Sequence, residues 1–407
     1  MEMHGYCKRA KEYNPELVKY RRQFHQNPEL GLELPKTAAY VWDRLTEMGY
    51  QPQKVGKSSI VAMVGQGEKT FLLRADMDAL PIQEQTGLPF ASQVPGCMHA
   101  CGHDCHTAML LGAAKLLKEQ ETQLCGKVKL FFQAGEEILD GAKEAVEAGV
   151  LEDPQVDAAM MIHILSGSPI PEGSLCFPTD GGCYASADWF RVDVTGKGGH
   201  GAMPEKTVSA VNTICAINAG IQDIMAVVVP PSANAVMTVG ELRAGDEGSG
   251  NVIPASGYLA GTIRTFDETV RQTIKHSLEM MAEHTAAARG ADARVSYSHS
   301  APVVQHDAQL RAFAIQELQQ AFGSQAVLDM KKLFGGAFDR ASASEDFAYI
   351  AQKVPSAILF LAAGSPEHGY TVPGHNPKTD FDESVLYVGA AAYAIVATRW
   401  LEEHGKQ

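Results

Sequence analysis

The pattern of apolar and polar residues divides the chain into three parts. In the first part, residues up to about 49 predict two helices separated by the stretch NPELG, with His25 as a helix cap or a surface residue. Strands then begin near Ser58, Thr70, Lys127 and Val156, and helical segments separate most of them. Several of these strands are apolar enough to be buried on both faces, which is typical of a parallel sheet. The first part therefore predicts an α/β domain.

The pattern changes at about Ala187, where apolar and polar residues begin to alternate as in a strand covered on one face. Up to about residue 300 the predicted order is strand, helix, strand, strand, helix, strand, which is typical of a ferredoxin-like α+β unit. The α/β style returns after residue 300. We therefore predict an inserted domain at 187–300, and one flanking domain with a mixed sheet built from 1–186 and 301–407.

Candidate metal ligands are concentrated in the segment CMHACGHDCHTAMLLG, residues 97–112. Thiolate and imidazole are good ligands for zinc-like ions, and Gly102 allows the tight turn that lets Cys101 and His103 point at one centre. The same segment is compatible with a structural zinc knuckle made of Cys97, Cys101, Cys105 and one histidine. A closed Cys/His set is typical of structural sites, whereas catalytic sites keep one position open.

Three predicted strands end in chemically active side chains. They end at Asp76 and Asp78, at Glu136 and Glu137, and close to His163; these ends share one edge if the strands are parallel. Adjacent carboxylates suit a division of roles, in which one binds metal and the other receives a proton from water. They are also typical of an acidic helix N-terminus. The shared edge favours a catalytic metal site over a knuckle.

Composition restricts the class of protein. The 407 residues carry 34 Lys and Arg against 48 Asp and Glu, a net charge of −14, which argues against nucleic-acid or anionic-membrane partners. We find no signal-like leader and no uninterrupted apolar stretch of about 20 residues, so a cytoplasmic protein without a membrane span is expected. Eight cysteines in a chain of this length do not predict a disulfide framework.

Six motifs occur along nearly the whole chain: RADMDALP, MHACGHDCHTAM, FQAGEE, GGHGAMP, NVIP and SEDFA. Together, in this order, they resemble the amidohydrolase branch of the co-catalytic-metal aminoacylases and carboxypeptidases. One departure from the wider family is Asp-x-Asp at Asp76 and Asp78, where His-x-Asp is usual. A ligand role is therefore expected to have moved to the Cys-Gly-His loop.

The resemblance implies a metal-dependent exopeptidase-like catalytic domain and an inserted domain that serves as lid and dimer surface, hence a homodimer. It implies two divalent ions per subunit, zinc or manganese, with cobalt or nickel as further options. It also implies a role for each matching residue: Cys101, His103, Glu137, His163 and His375 as metal ligands, Glu136 as general base, His200 at the tetrahedral oxyanion, and Asn251 and Arg264 at the substrate carboxylate.

The expected reaction is hydrolysis of the amide bond of an N-acyl amino acid. A metallo-carboxypeptidase or dipeptidase is the alternative within enzymes, because it uses the same attack by water. A binding protein that kept the fold is the alternative outside enzymes, and the complete ligand set with Glu136 argues against it. For single residues, Arg264 as a surface strand residue and His200 as a turn cap are the simpler interpretations.

Overall fold

The computed structural model describes residues 3–334 and 340–405. The α-helices of this part of the chain are α1 Met3–Gln26, α2 Pro35–Glu47, α3 His103–Glu119, α4 Gly141–Glu147, α5 Ala210–Asp223, α6 Glu268–Ala287, α7 Ala308–Phe322, α8 Met330–Phe334, α9 Ala348–Ala351 and α10 Leu386–His404. The strands are β1 Gln53–Val55, β2 Ser59–Gly65, β3 Thr70–Asp76, β4 Lys127–Gln133, β5 Ala158–Leu165, β6 Leu175–Phe177, β7 Gly181–Tyr184, β8 Ala187–Thr195, β9 Gly199–His200, β10 Ala235–Ala244, β11 Val252–Ile253, β12 Ser256–Thr265, β13 Asp292–Ala301, β14 Val304–His306, β15 Val327–Asp329 and β16 Ser356–Ala362.

An eight-stranded mixed sheet forms the centre of the first part of the fold, in the order β1-β2-β4-β3-β5-β16-β6-β15. Strands β4, β3, β5 and β16 run parallel to one another, whereas β2 is antiparallel to β4 and β6 is antiparallel to β16. The carboxyl ends of β3, β4 and β5 therefore lie at one edge of the sheet. This is the arrangement that the sequence predicted for the three strands that end in Asp, Glu and His.

Helix α3 carries the predicted Cys-Gly-His segment into the core of this unit. It packs against β3 and, on its other sides, against α1 and α10. Most of its side chains are buried, because its sequence is apolar nearly all round and neighbours surround it. The helices approach closely at Gly389, where a Cβ atom would lie 2.1 Å from Met109 Sδ. The first residues of α3 are thus fixed by a close-packed core.

The second sheet has four antiparallel strands in the order β10-β12-β8-β13, with α5 following β8 and α6 following β12. This order, with its two helices packed on one face, is that of a ferredoxin-like unit. Its core consists of side chains from both helices and the covered face of the sheet, including Phe190, Leu259, Ile263, Ile274 and Leu278. The predicted fold class, an α/β domain with an inserted α+β domain, is confirmed.

The chain divides into two compact units. Residues Met1–Cys183, Gln305–Ala341 and Asp346–Gln407 form the first, and Tyr184–Val304 with Ser342–Glu345 form the second. The first unit is therefore assembled from three separate stretches of chain. The domain boundaries expected from the sequence, at 186/187 and 300/301, stay a prediction.

Two helical stretches are long and apolar enough to cross a membrane by length and composition alone. The stretch Glu383–His404, which contains α10, is 83% buried inside the fold, as expected for the core helix of a globular unit. The stretch Ala210–Val228, which contains α5, is 33% buried. Burial therefore accounts for the apolar character of α10, and only partly for that of α5.

Candidate metal centre

The loop before α3 brings Cys101 and His103 to the edge of the sheet. Gly102 has φ +94°, and a Cβ atom there would lie 2.4 Å from Ile164 Cγ2, so only glycine fits between the two ligands. His103 Nδ1 donates a hydrogen bond to the Asp78 carbonyl at 2.8 Å. This bond leaves His103 Nε2, the nitrogen that lies near Glu136 and Glu137, as the one free to bind a cation.

Asp78 holds the two adjacent glutamates in place. Its carboxylate accepts hydrogen bonds from the backbone N–H groups of Glu136 at 3.0 Å and Glu137 at 3.1 Å. Helix α4 begins only at Gly141, so the two acids lie in the turn before the helix and not in its first turn. The interpretation of these residues as an acidic helix N-terminus is therefore wrong.

His163 and His375 complete the cluster from two further elements. His163 lies near the end of β5, with Nε2 at 3.5 Å from Cys101 Sγ. His375 lies in a loop, with Nε2 at 3.3 Å from the same sulfur and 3.6 Å from Glu137 Oε1. The backbone of His375 has φ +64°, the left-handed region that residues other than glycine seldom adopt, and its N–H donates to the Ala100 carbonyl.

The donor atoms of this cluster fit a bound cation. Cys101 belongs to two groups whose candidate ligand atoms all lie within 4.8 Å of one another, one with His103 and His163 and one with Glu137 and His375. His103 Nε2 and Glu137 Oε1 are buried and have no hydrogen-bond partner among residues 3–334 and 340–405. Buried polar atoms are normally paired. A mixed thiolate, imidazole and carboxylate set suits zinc and several other divalent ions.

The acid–base properties of the ligands agree with this fit. Burial raises the pKa of the Cys101 thiol well above its usual range, and Glu137 raises it further. Burial also raises the pKa of Glu137 to about 7, with His103 opposing the shift and the carboxylates of Asp78 and Asp76 adding to it. Without a compensating charge the Cys101 thiol keeps its proton, and the raised pKa of Glu137 favours its protonated form more than is usual for a carboxylate. A divalent cation would replace these protons and stabilise the Cys101 thiolate and the Glu137 carboxylate.

Asp76 and His106 form a further group of candidate ligands with His103, but both already make hydrogen bonds within the protein. His106 and Asp76 meet at 2.6 Å, and Asp76 also accepts a hydrogen bond from Arg74 at 2.7 Å. Cys97 and Cys105 are buried, and neither belongs to a group of candidate ligands in the described parts of the chain. The alternative of a zinc knuckle built on Cys97, Cys101 and Cys105 is therefore not supported.

His25, which the sequence predicted to be a helix cap or a surface residue, is fully buried behind the cluster. One ring nitrogen lies 2.8 Å from Asp104 and the other 3.3 Å from Glu84, and Asp104 also accepts a hydrogen bond from Arg21 at 2.8 Å. The prediction was wrong because both acids lie far away in sequence. This network fixes Asp104, the neighbour of His103 in the first turn of α3.

The pH dependence of stability tests the bond between His25 and Glu84. Burial opposes ionisation of Glu84, but bonds from His25, Thr86 and the Ser92 N–H lower its pKa from 4.5 to about 2. Ionised Glu84 therefore adds stability above pH 4.5, and this is lost as pH falls toward 2. We expect Glu84→Gln to lower the free energy of unfolding by about 1–3 kcal/mol at pH 7, and by progressively less as pH falls below about 4.5.

Urea unfolding of wild type and Glu84→Gln between pH 7 and about pH 3 measures this difference. The exposed carboxylate of Glu33 provides the control, since in the described part of the chain its one ion pair is a 3.9 Å contact with Lys57. Glu33→Gln should unfold like wild type at every pH. A constant difference between wild type and Glu84→Gln across the range would contradict the expectation.

The remaining three predicted site residues lie in the second unit. His200 in β9 pairs with Val252 in β11, and the Gly201 N–H donates to the Asn251 carbonyl, so His200 and Asn251 share one small ladder. The Ala202 N–H donates to His200 Nδ1 at 3.0 Å. His200 thus does cap a turn, and because Nδ1 accepts this bond, Nε2 of the exposed ring is the nitrogen that can donate.

Arg264 in β12 is half-buried, and burial lowers the pKa of its guanidinium, an effect that Asp188 partly offsets. The guanidinium donates a hydrogen bond to the carbonyl of the neighbouring Ile263 at 3.2 Å. Within residues 3–334 and 340–405, no carboxylate lies within ion-pair distance of this guanidinium. A half-buried cation without an acidic partner is unusual, because buried charges are normally paired.

Comparison with known proteins places this geometry in a family. The family model "Peptidase family M20/M25/M40" matches residues 72–399. The chain belongs to this family. It is 35% identical over 393 residues to IAA-amino acid hydrolase ILR1-like 4 of Arabidopsis thaliana, covering 95% of this chain and 86% of the relative. It is 33% identical over 396 residues to N-acetylcysteine deacetylase of Bacillus subtilis, covering 96% and 98%.

A solved structure gives the same result for the fold. A dinuclear metal binding peptidase of the M20 family from Bacillus subtilis matches with a TM-score of 0.76 and 32% identity, over 96% of this chain and 99% of that one. The M20/M25/M40 member described here is therefore a hydrolase of the peptidase and amidohydrolase type, and dinuclear metal binding is typical of its family.

Proposed function

We propose that the chain hydrolyses the amide bond of N-acyl amino acids, with Glu136 as general base. The observation that carries the proposal is the cluster at the sheet edge, where Glu136 lies beside His103 and Glu137. Among the described residues, the buried His103 Nε2 and Glu137 Oε1 have no hydrogen-bond partner. The relatives support the class of substrate, because a deacetylase of N-acetylcysteine and a hydrolase of IAA-amino acid conjugates both act on an acyl group joined to an amino acid.

In the proposed reaction the metal ligands are Cys101, His103, Glu137, His163 and His375. When bound, divalent ions polarise the amide carbonyl and lower the pKa of water. Glu136 Oε2 lies 3.8 Å from His103 Nε2, beside the ligands and with its backbone held by Asp78. From this position Glu136 takes the proton of the attacking water and delivers it to the leaving amine.

The second unit supplies the groups proposed to bind the substrate. His200, with a proton on Nε2, can donate a hydrogen bond to the oxyanion that forms at the carbonyl carbon. The half-buried guanidinium of Arg264 suits the carboxylate of the amino-acid half, because its fork of N–H groups can bind both oxygens. The side-chain amide of Asn251, beside His200, is a further donor for that carboxylate.

The proposal is tested by release of free amine from acetyl-, benzoyl- and indoleacetyl-amino acids, with dipeptides of the same amino acids as the comparison. We expect metal-dependent turnover of the acylated compounds. Turnover of dipeptides alone would replace the proposal by a dipeptidase. Metal binding without turnover of any compound would favour a binding protein that has kept the fold.

Loss of the Arg264 charge tests the proposed carboxylate contact. We expect Arg264→Gln to raise KM for N-acyl amino acids by about 10–100-fold with a smaller effect on kcat, because a charge-assisted pair is lost on binding. Substrates whose carboxylate is replaced by a carboxamide should react equally with both proteins. The exposed Arg243 in β10 provides the matched control, and Arg243→Gln should keep the wild-type KM.

We further propose zinc or manganese as the ions, two per chain, with a homodimer in the cytoplasm as the working form. Metal analysis of the purified protein and its mass in solution by light scattering check the first two points. The thiolate of Cys101 supports zinc, since sulfur ligands favour softer ions over manganese.

A further inference from the structure

His106 lies in the first turn of α3, fully buried beside the cluster, and both of its ring nitrogens are engaged. The Ile164 N–H donates to His106 Nε2 at 2.8 Å. Since a backbone N–H can only donate, Nε2 carries no proton and the ring proton is on Nδ1. Nδ1 therefore donates to Asp76 Oδ1, which lies 2.6 Å away. These two bonds fix one neutral tautomer and one orientation of the ring.

The bond to Ile164 lies where the backbone pairing between β3 and β5 has ended. The parallel ladder between β3 and β5 extends only to the pair Arg74 and Met161, so the last residues of β5 have no β3 residue beside them. The His106 side chain reaches Ile164 at this position and, through Asp76, is joined to the last residue of β3. The end of β5 is thus tied to β3 through a side chain instead of a backbone ladder.

His163 depends on the same stretch of backbone. Its Nδ1 lies 2.7 Å from the Ile164 carbonyl oxygen, which can only accept, so Nδ1 carries the proton. His163 Nε2 is then the unprotonated nitrogen, and it faces Cys101 Sγ at 3.5 Å. The lone pair that faces the cluster is set by the position of the Ile164 backbone.

We propose that His106 is a positioning residue, which holds Ile164 and thereby fixes the tautomer and the direction of His163 for metal binding. This inference rests on the metal centre of the proposed function and adds a residue that binds neither metal nor substrate. Partners of this outer kind typically affect metal affinity by 10–100-fold when they are changed.

Two substitutions separate the two bonds of the ring. In His106→Asn, the side-chain amide can still donate to Asp76 as Nδ1 does, but it is too short to accept from Ile164. In His106→Gln, the side-chain oxygen can take the place of Nε2 and accept from Ile164. If His106 acts through Ile164, the glutamine variant stays closer to wild type than the asparagine variant.

The structure offers a matched control. His306 in β14 is also buried, and its Nε2 accepts a hydrogen bond from the Ile358 N–H of β16 at 3.2 Å. It belongs to no group of candidate ligands among the described residues. His306→Asn removes the same kind of bond from the same sheet without touching the end of β5. It therefore reports what the loss of such a bond does to stability alone.

The experiment measures Co²⁺ and Zn²⁺ affinity and stoichiometry by competition with a chelator, and the visible spectrum of the Co²⁺-loaded protein. We expect His106→Asn to bind one of its ions about 10–100-fold more weakly, with an altered Co²⁺ spectrum. His106→Gln should show a smaller loss, and His306→Asn should match wild type in both readouts.

Wild-type affinity and spectrum in His106→Asn would overturn the inference and leave the proposed metal centre intact. An equal loss in His306→Asn would also overturn it, because the effect would then come from general destabilisation. Absence of metal binding by wild type would overturn both the proposed metal centre and the role of His106, so the two failures are distinguishable.

Discussion

Glu136→Gln is expected to lower kcat by about 10²–10⁴-fold while metal binding and thermal stability stay close to wild type. The amide has nearly the size and shape of the carboxylate, but it cannot accept a proton from water. Glu136 is 6% exposed, and its backbone N–H is held by Asp78, so the replacement has little room to move. Steady-state hydrolysis of the best N-acyl amino acid, with metal content measured on the same sample, tests the expectation.

Asp140→Asn is the matched control for this substitution. Asp140 lies in the same turn, is exposed, and makes no side-chain bond to the helix that follows it. The Asp140→Asn substitution removes one negative charge from the same turn, and we expect it to leave kcat unchanged. If Glu136→Gln keeps more than about a tenth of the wild-type kcat, another group is the proton acceptor.

Cys101→Ala is expected to abolish activity and to reduce the metal content to less than one ion per chain. The sulfur belongs to both groups of candidate ligands, one with His103 and His163 and one with Glu137 and His375, so its removal weakens both. The loss of affinity should exceed the 10–100-fold typical of residues that only surround a ligand. Metal analysis after dialysis against a defined free-zinc buffer measures it.

Cys97→Ala distinguishes this interpretation from a structural knuckle. Cys97 is 4% exposed and lies four positions before Cys101, yet it belongs to neither group of candidate ligands. The variant should bind metal like wild type, with at most a small loss of stability from the shortened side chain. Loss of metal binding in Cys97→Ala would support a structural zinc knuckle and argue against a metal centre in which two groups of ligands share the Cys101 thiol.

The sequence could predict the convergence at the sheet edge because it follows from one local property. Strands β3, β4 and β5 are rich in apolar residues and largely buried, which is typical of parallel strands, and parallel strands end at one edge of the sheet. The strand order of the inserted unit was likewise accessible from the alternation of helices and strands. His375 was expected from the resemblance alone, since a loop residue carries no periodic signal.

The partners of Asp78, His106 and His25 could not be predicted in the same way. Each pairs with residues from distant parts of the chain: Asp78 with the N–H groups of Glu136 and Glu137, and His106 with Ile164. Neither a strand exit nor a helix start specifies such a partner, because backbone N–H groups are present everywhere. Asp76 and Asp78, the acid pair at the end of β3, indicated where these contacts lie but not which groups they join.

The position of β16 determines the order in which the polypeptide can mature on the ribosome. This strand pairs in parallel with β5 and also contacts β6, yet it is translated only after the whole stretch 184–304. The ferredoxin-like unit, whose strands all come from that stretch, can therefore condense on the nascent chain first. Until β16 emerges, β5 presents an open apolar edge, which is the kind of surface that chaperones shield.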